Sequence, residues 1–196
     1  MPPDRPGPEW YWRSLRDKVL YEYGVDIGGL LDPGQLEFVP SSRNPIRFLR
    51  VGIRGGPHLA ALREDGSLAI SMEFARILMR SPEFLESCVV VDGESVEFVR
   101  GGMSVMSGHV ARVGRNVSLG MDVCVLSPEG ELIAVGTCSL PPKLAASRSG
   151  PFVRVRAHAG PRRARGAPPA PGRSRYIILT YILDPQKSQV PPSFPT

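Results

Sequence analysis

"LGMDVCVLSPEGELIAVGTCSL", residues 119–140, decides the fold class. Two apolar runs, Val123–Leu126 and Leu132–Val135, flank "SPEG". Proline at the second turn position and glycine at the fourth suit a type I turn, so the stretch reads as a β-hairpin. Downstream, "PFVRVRAH" alternates Val153 and Val155 with Arg154 and Arg156, the pattern of a half-buried strand. Upstream, "CVVVDG" from Cys88 reads as a buried strand ending in a turn, and "GHVARV" from Gly108 as another. Between them "ESVEFVRGG" returns toward a helix or loop. Several short strands within about 70 residues predict a small barrel.

The segment before the barrel reads differently. In "EWYWRSLRDKVLYEY", residues 9–23, Trp12, Leu15, Val19 and Tyr23 fall at helical spacing, and Gly24 follows as a left-handed stop. Strand-like runs come at Leu36–Val39 and Ile46–Ile53. "HLAALREDGSLAIS" offers two short strands around an Asp65-Gly66 turn. Ser71 is placed to cap "MEFARILMR", with Phe74, Ile77 and Leu78 on one face, and Ser81-Pro82 reads as a second helix start.

The predicted organisation is therefore α+β: an N-terminal helix-and-sheet domain over 9–86, a small barrel over 87–159, and a basic, Pro/Gly-rich flexible tail over 160–196. In the tail, "YIILTYIL" is left open between an added edge strand and an unpaired segment.

Charge points to an anionic partner only locally. The net charge of the 196 residues is +5, but residues 1–86 carry 11 Lys/Arg against 12 Asp/Glu, and residues 87–159 carry 7 against 6. The tail carries 6 against 1 and so supplies the whole excess. A nucleic-acid surface on the folded part must be a patch. No apolar run approaches the roughly 20 residues of a membrane helix, and "MPPDRPGPEW" has no apolar signal region, so a cytoplasmic protein without membrane contact is expected. Cys88, Cys124 and Cys138 are widely spaced in apolar sequence and read as reduced, buried thiols.

Familiar catalytic patterns are missing. The chain has no phosphate-binding G-x-x-x-x-G-K-[ST] loop, no G-x-G-x-x-G after a strand, no G-x-S-x-G elbow and no C-x-x-C pair. His58, His109 and His158 lie about 50 residues apart, which suggests no metal site. A non-catalytic protein without cofactor or metal is the expectation.

From Val89 to Arg156 the order of motifs resembles the PUA domain, a small pseudo-barrel of RNA-modifying enzymes. The resemblance rests on "VVVDGESVEFVRGGMSVMSGHV", then the 119–140 hairpin, then "PFVRVR". Gly120, Asp122, Val123 and Val125 fill the family's G-D-x-V-x-V strand with Met121 interposed, and Ala134, Val135 and Gly136 fill its A-V-G. The preceding "VLYEYG", "LLDPGQLEFVPSSRNPIRFLRV" and "HLAALREDGSLAISMEFARIL" resemble the pre-PUA domain of archaeosine tRNA-guanine transglycosylase. Residues 9–159 thus look like the tRNA-holding half of that archaeal enzyme family, without its catalytic barrel.

This resemblance implies an RNA-binding protein that holds tRNA by its acceptor stem and 3′ end. Its partners would be RNA, tRNA first, and a separate transglycosylase catalytic subunit. Two alternatives stay open: a small enzyme of the same modification pathway, with its site between the domains, and a PUA scaffold in ribosome assembly. The expected RNA-binding residues are Arg100, Gly101, Gly102, Ser104, Val105, Met106, Ser107, Gly108 and His109 of the glycine-broken loop, with Arg154 and Arg156 of the last strand.

The physical reasoning is that glycines permit close backbone approach and leave amides for phosphates, while the three arginines act as one charged patch. Structural readings stand beside these. Gly101-Gly102 is also a plausible tight turn, Val105 and Met106 core residues, and His109 a satisfied structural histidine. Arg54-Gly55-Gly56 reads as a turn, and Arg63 and Arg76 as solvated charges.

Overall fold

The computed structural model describes residues 6–44, 46–144 and 150–160, and these fall within one compact unit. The tail expectations, including the alternatives for "YIILTYIL", lie outside the described residues.

Helix α1 (Pro8–Tyr23) buries Tyr11, Leu15, Val19 and Tyr23, a stripe with a four-residue step. Trp12, expected on that face, is only partly buried. Tyr11 takes the inward position and packs on Phe38 with ring centroids 5.8 Å apart. Gly24 ends the helix at φ 71°, with its N–H on the Leu20 carbonyl, as the sequence predicts.

Four strands follow as an antiparallel meander: β1 (Leu36–Pro40), β2 (Phe48–Ile53), β3 (His58–Leu62) and β4 (Leu68–Ile70). Asp65-Gly66 turns the chain between β3 and β4, with Gly66 at φ 90°. Helix α2 (Met72–Leu78) starts at Ser71, whose hydroxyl accepts the Phe74 N–H at 3.1 Å. It buries Phe74, Ala75 and Leu78, while Ile77 packs at the margin.

The barrel begins after a 3-10 turn at Pro82–Ser87. Its strands are β5 (Cys88–Val91), β6 (Val105–Met106), β7 (Val110–Val113), β8 (Asp122–Leu126), β9 (Leu132–Cys138) and β10 (Pro151–His158). A short helix, α3 (Val96–Arg100), links β5 to β6. The strand order β6-β10-β9-β8-β5-β7 is antiparallel except for the β5–β8 pair, and the sheet curls into a nearly closed barrel. The α+β class read from the sequence is thus the observed one. Strand β8 is buried along its whole length, because its two faces meet the barrel interior and the N-terminal elements. Cys88, Cys124 and Cys138 are free and buried, and burial pushes the Cys124 thiol well above its ordinary pKa.

Among the described residues three buried side-chain atoms lack a hydrogen-bond partner: Tyr23 Oη, Arg100 Nε and His158 Nδ1. Tyr23 packs against Phe84 with ring centroids 5.5 Å apart and the planes tilted by 59°, but its hydroxyl meets no hydrogen-bond partner among the described residues. Burial accordingly drives the Tyr23 pKa well up. An unpartnered buried hydroxyl costs on the order of 1 kcal/mol or more. Tyr23→Phe is therefore expected to raise the thermal midpoint by about 2–4 °C in a melting experiment. A lowered midpoint would show that the hydroxyl has a partner.

Candidate nucleic-acid interface

The glycine-broken loop and the chain around the last strand are in contact at several points. Edge strand β6 pairs with β10, Val105 opposite Val153 and Met106 opposite Pro151. The Gly160 N–H donates to the Arg100 carbonyl at 3.2 Å. Gly102, at φ 88°, lies over the His158 ring so closely that an added Cβ would sit 3.0 Å from it. Positive φ and lack of space both require glycine there.

The amides of Gly101 and Gly102, expected to be left for phosphates, are already bonded. The Gly101 N–H donates to the Glu97 carbonyl and the Gly102 N–H to that of Val99, closing the end of α3. Both amides are consumed by the helix terminus, whose last carbonyls need donors. Ending the helix is what this glycine pair does.

The side chains of the loop divide by exposure. Val105 points into the core at 1% exposure, and Ser107 is also buried, its hydroxyl 3.3 Å from the Gly150 carbonyl. His109 holds its Nδ1 2.8 Å from Asp92 Oδ2, and its carbonyl accepts the Asp92 N–H, so it fixes the loop to the end of β5. Met103, Ser104, Met106 and Gly108 are exposed. Met103 is absent from the sequence-derived set. Like Met106 it is an exposed, polarizable apolar side chain of the kind that packs on a flat partner.

The three arginines do not share one patch. Arg100 is ion-paired with Glu131 of the 127–131 turn and has its Nε 4.0 Å from Glu97 Oε1. Arg156 bonds through Nη2 to Asp122 and to the Ile70 carbonyl at the end of β4. Arg154, exposed on β10, makes no side-chain bond or ion pair among the described residues. The rest of β10 and a bend at 159–160 lie between Arg154 and Gly160, whose N–H meets the Arg100 carbonyl.

Asp122 is the centre of the junction between the two sheets. It is fully buried, and both oxygens are occupied. Oδ1 accepts from Arg63 and from Thr137 Oγ1 at 2.9 Å, and Oδ2 accepts from Arg156 and from the Ile70 N–H at 3.0 Å. Arg63, read from the sequence as solvated, instead lies inside this junction and also bonds the Leu68 carbonyl at 3.4 Å. Arg76 does pair at the surface, with Glu73. Gly55, at φ 66°, sits in the turn expected at 54–56. Among the described residues no group of three or more His, Cys, Asp or Glu is arranged to hold a metal ion, and no helix is long and apolar enough to cross a membrane.

Comparison with known proteins agrees with this architecture. Residues 88–158 match the family model of the PUA domain. The tRNA-guanine(15) transglycosylase of Thermococcus onnurineus is 34% identical over 150 residues, covering 74% of this chain and 25% of that protein. The chain thus spans about a quarter of the length of this curated relative. Among solved structures, a hypothetical protein of Pyrococcus horikoshii OT3 superposes with a TM-score of 0.59 at 17% identity, covering 79% of this chain and 92% of that one. A conserved PUA domain protein of Thermoplasma acidophilum gives 0.54 at 19% identity, covering 80% and 93%. The two solved structures support the fold alone.

Proposed function

The chain carries a PUA domain at residues 88–158, and from that premise we propose that it binds structured RNA, holding tRNA by its acceptor stem and 3′ end. It acts without catalysing a reaction itself, beside a separate transglycosylase-type catalytic subunit. The observation that carries this reading is the extent of the similarity to a tRNA-guanine(15) transglycosylase. It runs over 150 residues, more than twice the length of the PUA match, and so extends well beyond that domain.

The geometry supplies suitable contacts. Single-stranded RNA ends are recognised through unstacked bases laid on apolar or aromatic side chains and through the backbone. Met103 and Met106 offer the apolar surface, and Ser104 and Gly108 lie exposed beside them. Arg154 supplies a charge for phosphate, while His109 and Ser107 hold the loop in place. Filter binding of a tRNA transcript with and without its terminal CCA tests the claim. The full transcript is expected to bind roughly tenfold more tightly, the worth of one or two base contacts. Equal affinities would remove the 3′ end from the interface, and no binding by either would remove RNA.

A further inference from the structure

We propose that the phosphate-contacting face does not stop at the barrel. It continues over the sheet junction onto the outward face of the four-stranded sheet, as a track of Arg154, Arg156, His58 and Arg50. The proposal rests on the RNA-binding reading above and adds a second contact region to it.

The register defines that outward face. Val39, Arg50, Ala61 and Ala69 are successive cross-strand partners, as are Glu37, Gly52 and His58 in the neighbouring row. Partners directly opposite each other project to the same side of a sheet. The opposite side carries Phe38, Val51, Ala60 and Ile70, which pack in the core. The outward side is therefore a low floor of glycine and alanine, with Arg50 and His58 standing above it. Glu37 is the acidic residue of the second row, on edge strand β1. Arg50 is exposed and has no carboxylate partner among the described residues, in contrast to Arg16, Arg76, Arg100, Arg112 and Arg115, which all do.

Arg156 joins the two surfaces. Its Nη2 is fixed by Asp122 and by the carbonyl of Ile70, which pairs with Ala60 two residues after His58. A guanidinium has five N–H donors, so those on Nε and Nη1 remain for a ligand. Its side chain is 42% exposed. The charges of Arg50 and Arg156 also reach His58: burial lowers its pKa first, and these two arginines lower it further. Three cationic or protonatable groups from β2, β3 and β10 thus lie near one another, with Asp122 anchoring one of them and Glu37 of edge strand β1 the carboxylate in the row of His58. A nucleic-acid backbone supplies a row of negative charges to such a cationic track.

The test uses the full chain and a tRNA transcript, by filter binding across a salt series. Compared are the wild type, Arg50→Gln with His58→Gln, Arg50→Lys with His58 intact, and Arg112→Gln with Arg115→Gln as a control on a pair already occupied by Glu86. Arg50 and His58 are exposed, so unchanged melting is a required check on the double variant. The expected result is several-fold weaker binding and a log–log salt slope flatter by about one unit for the Arg50/His58 variant. Arg50→Lys should retain the slope, and the control should match the wild type. In the complex, the His58 ring resonances should titrate at higher pH than in the free protein, since a nearby phosphate favours the charged imidazole. Wild-type binding with an unchanged slope in the Arg50/His58 variant would overturn the track and leave the RNA reading intact. Failure of the wild type to bind would overturn both.

Discussion

Asp122→Ala should lower the unfolding free energy by about 3–5 kcal/mol, the cost of removing one partner from a buried ion pair. The thermal midpoint should fall by roughly 10 °C. The size follows from what the carboxylate holds. Arg63 and Thr137 converge on one oxygen, and Arg156 and the Ile70 amide on the other. Alanine leaves two guanidinium groups without the carboxylate they share and a backbone donor unpaired. Asp122→Asn is no rescue, because one of the two acceptors becomes an NH2 that meets donors in either orientation. It should fall between alanine and the wild type. Arg63→Ala should cost less than Asp122→Ala, since the aspartate keeps Arg156 and two neutral donors. Hydrogen exchange gives a local readout: the Ile70 amide should lose protection in Asp122→Ala before the β8–β9 amides do. A loss below about 1 kcal/mol by chemical denaturation would show that the junction is held elsewhere.

That junction marks the limit of what the sequence discloses. The Gly24 stop, the Ser71 cap and both hairpins rest on local patterns and are found in place, as is the α1 stripe except that Tyr11 replaces Trp12 at its start. The bonds of Asp122 reach Thr137, Arg156, Ile70 and Arg63, 15, 34, 52 and 59 residues away. No local period encodes such partners. One trace was present: a carboxylate between Met121 and Val123, inside a run too apolar to be exposed, demands buried cations. That demand says buried cations must come from elsewhere in the chain, but not that they are Arg63 and Arg156. The loop shows the same limit at shorter range. In "VRGGMSVMSGHV" the side chain that turns inward depends on pairing with β10, so Val105 and Met106 are indistinguishable until that strand is placed.

Gly136→Ala is expected to cost about 3 kcal/mol or more, an unusually large effect for one methyl group. A Cβ at Gly136 would lie 2.3 Å from the Arg154 carbonyl oxygen and 2.9 Å from Val153 Cγ1. The first obstacle is backbone, so no rotamer change relieves it, and overpacking of this kind is at the costly end of its range. Relief requires β10 to move away from β9, next to the bulge at Val155/Ala157 that already bends the strand. β10 also carries Arg154 and Arg156, pairs with β6, and leads to the Gly160 contact under the loop. Displacing it therefore disturbs the candidate interface as well as the barrel, and tRNA binding should weaken along with stability. Gly93→Ala is the matched control, because a Cβ there meets nothing within 4 Å and the backbone is not left-handed. Its melting should fall within about 2 °C of the wild type, inside the usual range for surface changes. If Gly136→Ala melts equally close to the wild type, the tight β9–β10 approach is not part of the fold in solution, and the placement of Arg154 and Arg156 on β10 loses its support.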